Sequence, residues 1–238
     1  MATRNLLYKP EIVINDFVKI RIPTVGDIIN REDEYYNLVQ MLTAMPIDMM
    51  VQLDDAGIDF TTINDYDLFI YIFGAIKQMD CSLIFGDLDL TPFRFAIDEE
   101  TGRPVYLDPS TDRKFDRSLQ LNIADTLRKI HHMEKNNKKP GNDEARKYMI
   151  ERARKKMQRN RRRMQDSSLE SLIVAMVNTE QYKYDFEGTL ELSIYQFNES
   201  VRQVTHKVNY SNVMFGVYSG SIDPKSINQE ELNWLQHK

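Results

Sequence analysis

The 238-residue chain holds one cysteine, one tryptophan and nine glycines, and no apolar run approaches the ~18 residues that a membrane span requires. Each shortage excludes something. Cys81 has no partner for an internal disulfide, and without metal-ligand spacing around it the residue reads as a small buried hydrophobe. With glycine so scarce there is no Gly-rich phosphate cradle, and neither a nucleophile elbow nor a zinc-protease motif occurs. The longest apolar stretch, LFIYIFGAI at 68–76, has the length of a buried helix. The opening MATRNLLYKPEIVINDF loses its apolar character at Lys9, Pro10 and Glu11, unlike a secretory signal, so an intracellular site of action is expected.

Catalytic constellations are equally scarce. His131 and His132 are adjacent, so on a helix they point about 100° apart and cannot share a metal; His206 and His237 are isolated. Asp108, Asp112 and Asp116 recur every fourth residue but lack the glycine and the terminal glutamate of a calcium loop. As a nucleophile, Cys81 would need a histidine brought beside it by the fold. No catalytic residue, metal or cofactor is therefore expected.

What the chain does have is charge, unevenly placed. Between Arg128 and Arg163 fifteen Lys or Arg face four Asp or Glu, a local +11; with −5 overall, the remainder carries −16. Such a split suits a polyanion-binding arm, or attraction between the arm and an acidic protein surface. The candidate contacts are Arg152, Lys155, Lys156, Arg159, Arg161, Arg162 and Arg163. Basic residues occupy nearly every direction of the helical wheel, with Lys156 and Arg163 entering the narrow apolar stripe, so this helix is expected to protrude into water. A nucleic-acid role has the electrostatics for counterion release. It lacks a recognition-helix turn, zinc-finger ligands and any interleaved aromatic besides Tyr148, which favours a solvated or protein-facing helix.

Periodicity gives the architecture. Ile12 and Ile14, then Val18, Ile20 and Ile22, alternate across Asn15-Asp16 as a hairpin closed by Pro23. Thr24 and Asp27 form an approximate capping box before a helix whose face carries Ile28, Tyr35, Val39 and Leu42. Pro46 starts a short helix that Gly57 ends, and Thr62 or Asn64 caps a third with Leu68, Phe69, Ile72, Phe73 and Ile76. Phe93, Phe95 and Ile97 alternate into a turn at Glu99–Gly102 and a return through Val105 and Leu107. After the polar DPSTDRKFDR, Leu119, Ile123, Leu127 and Ile130 mark a helix near 118–133.

EKNNKKPGNDE, 134–144, reads as an exposed linker, and Asn142 caps the next helix. From there Ala145, Met149, Ala153, Met157 and Met164 recur at helical spacing into Leu169, Leu172, Ile173, Met176 and Val177. That is enough for a single rod of about 50 Å, unless it bends near Asp166–Ser168. Ile194, Phe197, Val201, Val204 and Val208 mark a further helix and residues 226–236 a last one, in which Trp234 is expected to dock the C-terminus. The fold class is α+β, predominantly helical, with short β-hairpins. Its expected parts are an N-terminal α+β domain (1–133), the linker (134–144), the long basic helix (145–179) and a C-terminal helical segment (180–238).

Two stretches resemble tail-morphogenesis proteins of tailed bacteriophages, of the tail assembly chaperone or baseplate-associated kind. They are IRIPTVGDIINREDEYYNLVQMLTAMPIDMMVQLDDAGIDFTTINDYDLFIYIF, 20–73, and NYSNVMFGVYSGSIDPKSINQEELNWLQHK, 209–238. The likeness lies in short acidic helices, many Met and Tyr, and the Asn-Trp-Leu ending. It implies a non-enzymatic protein that binds tape-measure or other tail proteins in the host cytoplasm during assembly, or one retained in the virion, with a multi-copy assembly possible in either case. A chaperone of an apolar-seamed helical chain needs adaptable grooves. Met41, Met45, Met49 and Met50, with Trp234, are the candidate partner-binding residues, since methionine repacks against varied surfaces; the alternative is that these methionines fill the core.

Overall fold

A computed structural model describes residues 6–161, 167–223, 225, 227–228 and 233–235, with Asn160 and Arg161 described in their backbone alone. It is α+β and predominantly helical, 54% helix with one two-stranded and one three-stranded antiparallel sheet. Strands β1 (Glu11–Val13) and β2 (Lys19–Arg21) pair with Ile12 opposite Ile20, around a turn in which Asn15 Oδ1 accepts from the Phe17 and Val18 amides.

The Thr24–Asp27 capping box opens α1 (Val25–Ile29), and the Asn64–Asp67 box opens α4 (Asp65–Ile76), each satisfying amides that a helix start leaves unpaired. The helix expected beyond Asp27 divides at Asn30–Arg31, so α2 (Glu32–Thr43) is separate. Pro46–Met49 form a 3-10 turn before α3 (Met50–Asp55), and Gly57 follows with φ 73°, where a side chain would be strained. A short α5 (Ser82–Phe85) leads to β3 (Arg94–Ile97), β4 (Pro104–Asp108) and β5 (Arg113–Phe115).

The three-stranded sheet departs from expectation twice. The stretch read as merely polar contains β5, and its one aromatic, Phe115, is buried among Phe17, Phe73 and Phe93, with ring centroids 4.9–5.8 Å away. Phe95 and Ile97, whose alternation suggests one apolar face of a half-buried strand, are 58% and 56% exposed: Phe95 sits opposite Tyr106, which contacts Phe73 of α4, but on the edge strand. Tyr66 ties α4 to this sheet by donating its hydroxyl to the Pro104 and Phe115 carbonyls at 2.8 and 3.2 Å.

Helix α6 (Arg117–His131), capped by Asp116 and closed by the left-handed His132, buries Leu119, Ile123, Leu127 and Ile130 as its pattern requires. The remaining helices are α7 (Asp143–Arg161), α8 (Ser168–Val177), α9 (Phe186–Glu191) and α10 (Ile194–Tyr218). Of the two forms open for this stretch, one rod or two helices bent near Asp166–Ser168, the structure has two helices. Ser167 is non-helical and caps α8 by accepting from the Glu170 amide. Glu32 adds a cap from afar: Ser167, Ser168 and the Leu169 amide, the last at 3.0 Å, all donate to its carboxylate. A carboxylate suits the positive end of a helix.

The buried core does not stop at the linker, since Ile150, Leu169, Ile173, Met176, Tyr182, Ile194 and Phe197 join the cluster built by residues 6–130. Chain segments far apart in sequence close it: the Val25 amide donates to Leu192 O at 2.9 Å and the Ile194 amide to Pro23 O at 2.8 Å. Here α1 lies so close to α9 that a side chain at Gly26 would stand 3.1 Å from Leu190 O. Among the described residues no helix is long and apolar enough to cross a membrane.

Candidate interaction surface

Helix α7 is divided lengthwise. Asn142 Oδ1 accepts from the Ala145 amide, and Asp143 and Glu144 occupy the positive end. Along one face Ala145, Arg146, Met149, Ile150, Ala153, Arg154 and Met157 are half-buried or, at Ile150, buried. The two arginines on that face are consumed by the body: Arg146 reaches Asp59 at 3.2 Å, and Arg154 forks onto Asp54 at 2.9 Å and Asp55 at 2.7 Å. Asp54 and Asp55 end α3, where its dipole is negative, so Arg154 offsets two unfavourably placed carboxylates. The protruding helix expected from the sequence is therefore docked. Ile150, flanked by Arg146 and Arg154 at four-residue spacing, was the signal for this face.

The opposite face holds the exposed cations. Lys155 pairs with Glu151 at 2.6 Å, whereas Arg152, Lys156 and Arg159 make no ion pair among the described residues; Lys156 lies off the covered stripe. The side chain of Arg161, and Arg162 and Arg163, lie outside the described residues, as does Met164.

Met41, Met45, Met49 and Met50 are half-buried and pack against the core. Met45 also faces a groove of about 440 Å³, with Ile63 and Leu121 along the same floor and Arg117, Lys138 and Lys139 around it. The segment read as an exposed linker forms one wall, pinned by Lys135 to Asp65 and by Asn136 to Asp48, each at 2.9 Å. Trp234 lies along α10, its backbone oxygen accepting from Gln203 and its ring 5.2 Å from Lys207 Nζ, with half the side chain exposed. Most of the helix expected over 226–236 lies outside the described residues.

Groups that could carry chemistry are absorbed by structure. The Cys81 thiol donates to the Ile76 and Met79 carbonyls, and burial pushes its pKa up to about 11. His131 sits against Tyr35 and Tyr36, 2.9 Å from the Tyr35 hydroxyl, and burial lowers its pKa to about 4. His132 turns away to Glu199 at 3.3 Å and Arg202 at 3.0 Å. Asp108 accepts from Ser110 and Thr111, and Asp116 caps α6, so these carboxylates serve turns and a helix end. Among the described residues no group of three or more His, Cys, Asp and Glu converges on a point.

Comparison with known proteins bears on the C-terminal third. A family model described as YomV second domain, a phage-associated family, matches residues 156–238, from the second half of α7 onward. No curated protein and no solved structure matches the chain.

Proposed function

We propose that this chain is a non-enzymatic bacteriophage tail morphogenesis protein that binds the tape-measure protein or other tail proteins during assembly in the host cytoplasm. The observation that carries the reading is the similarity of residues 156–238 to a phage-associated family. The molecule's accessible features support it: cations on α7 without an ion pair among the described residues, half-buried Met45 beside a groove, and an exposed α10 end leave surface for a partner to meet. The thiol and the His131 imidazole, by contrast, are engaged inside the fold.

Co-expression with the tape-measure protein tests the reading. A chaperone keeps that protein soluble and co-purifies with it, yet is absent from purified particles by mass spectrometry. Stoichiometric presence in particles makes the chain a permanent tail or baseplate component instead. Failure of every tail protein to co-purify, together with absence from particles, overturns both.

The exposed triplet Arg152, Lys156 and Arg159 favours a second reading, nucleic-acid contact through α7. It requires retention on a duplex or RNA column that falls steeply with salt and disappears when all three become alanine. No retention at low salt removes it.

A further inference from the structure

The groove beside Met45 combines an apolar floor with a cationic rim. Among the described residues its lining carries Arg117, Lys135, Lys138 and Lys139 against a single carboxylate, Asp65, which Lys135 already engages at 2.9 Å. Arg117, Lys138 and Lys139 are exposed and make no ion pair among the described residues. Their placement is built: the Lys135–Asp65 and Asn136–Asp48 ties hold the 134–139 strip along the groove rather than letting it wander. Between the cations, Met45, Ile63 and Leu121 are only half-buried and present aliphatic and thioether surface.

We propose that this groove docks an acidic segment of a partner protein, whose carboxylates meet Arg117, Lys138 and Lys139 while an adjacent apolar side chain enters between Met45, Ile63 and Leu121. The proposal names the chemistry of the partner and rests on the partner-binding reading above. A phosphodiester strand would satisfy the rim but not the floor: the one aromatic among the lining residues, Phe60, is buried and offers no face for a base to stack on. A peptide satisfies both, and methionine on the floor adjusts to the shape of the side chain it receives. Rim charges would steer the segment in and set its orientation, with the effect fading as salt screens them.

The test is fluorescence anisotropy of the intact protein with a short labelled peptide alternating Glu and Leu, beside matched Glu/Ser and Lys/Leu peptides and a single-stranded oligonucleotide of equal charge. The Glu/Leu peptide binds best, and Arg117→Ala/Lys138→Ala/Lys139→Ala weakens it about tenfold at low salt. Arg152→Ala/Lys156→Ala/Arg159→Ala leaves that binding unchanged. Leu121→Glu abolishes binding; should that variant misfold by circular dichroism, the charge triple, which alters exposed side chains alone, still decides. Equal binding of the Glu/Ser peptide, tighter groove-dependent binding of the oligonucleotide, or indifference to the groove triple overturns the proposal. Peptide binding without any co-purifying tail protein, and with the chain absent from purified particles, sinks the phage reading and leaves the groove standing. Co-purification that survives the groove triple does the reverse.

Discussion

Helices α6 and α10 lie side by side, joined by Asn198 Nδ2 donating to Ile130 O at 3.3 Å, and they treat the same kind of sequence pattern differently. Every apolar position on the α6 seam, Leu119, Ile123, Leu127 and Ile130, is buried. On α10 the seam runs Ile194, Phe197, Val201, Val204, Val208, Ser211, Phe215, Tyr218, in steps of three and four. Ile194 and Phe197 are buried and Val201 and Val204 pack against the core, but Phe215 and Tyr218 are 75% and 82% exposed. Periodicity tells which face of a helix is apolar. How far along that face the rest of the molecule reaches is set by other elements.

The contrast can be broken from the covered side first. Leu127→Ala on α6 should cost about 2–5 kcal/mol in denaturant unfolding, because a cavity is left in packed surroundings. The α6 C-terminus is also where acid should act. Unfolded, the His131 imidazole takes its proton near 6.5; folded, burial delays this to about 4. Stability is therefore intact above 6.5 and declines as pH falls from 6.5 to 4, by up to about 3 kcal/mol. His131→Gln should flatten the decline in that window, and an unchanged slope would show the histidine to be better hydrated than its setting implies.

Smaller effects sharpen the comparison. Glu32→Ala removes the distant cap of α8 and should cost about 1 kcal/mol, with the loss of protection strongest at the Leu169 amide in hydrogen exchange. Arg154→Ala should cost no more than about 1 kcal/mol, since its partners are largely solvated, and Arg152→Ala on the opposite face nothing measurable. Phe215→Ser and Tyr218→Ser should shift stability within about 0.5 kcal/mol; a larger drop would mean that α10 is covered along its whole length in solution.

Sequence signals are legible here where the chemistry is local. The Thr24 and Asn64 caps, Gly57 and Gly102 at positive φ, and the α6 face each depend on residues within a few positions of one another. The features that escape a reading of the sequence depend on distance. The β5 strand carries one apolar residue among charges, and Phe115 is recognisable as core only once Phe17, Phe73 and Phe93 surround it. The docking of α7 requires Asp54, Asp55 and Asp59, about a hundred positions upstream, to meet alternate turns of the helix. The candidate methionines are legible as a cluster. The groove beside Met45 is not, because its rim comes from a segment whose composition says only that it is polar.

The hydrogen bonds joining Pro23 and Val25 to Ile194 and Leu192 have a bearing on how the molecule is made. On the ribosome, Pro23 and Val25 emerge long before Leu192 and Ile194, and Glu32 long before Leu169. These bonds between α1, α2 and the α8–α10 region therefore close only after residues 169–194 have been made. A fragment translated from 156 alone would begin its life without Pro23 O, without the Val25 amide and without the Glu32 carboxylate.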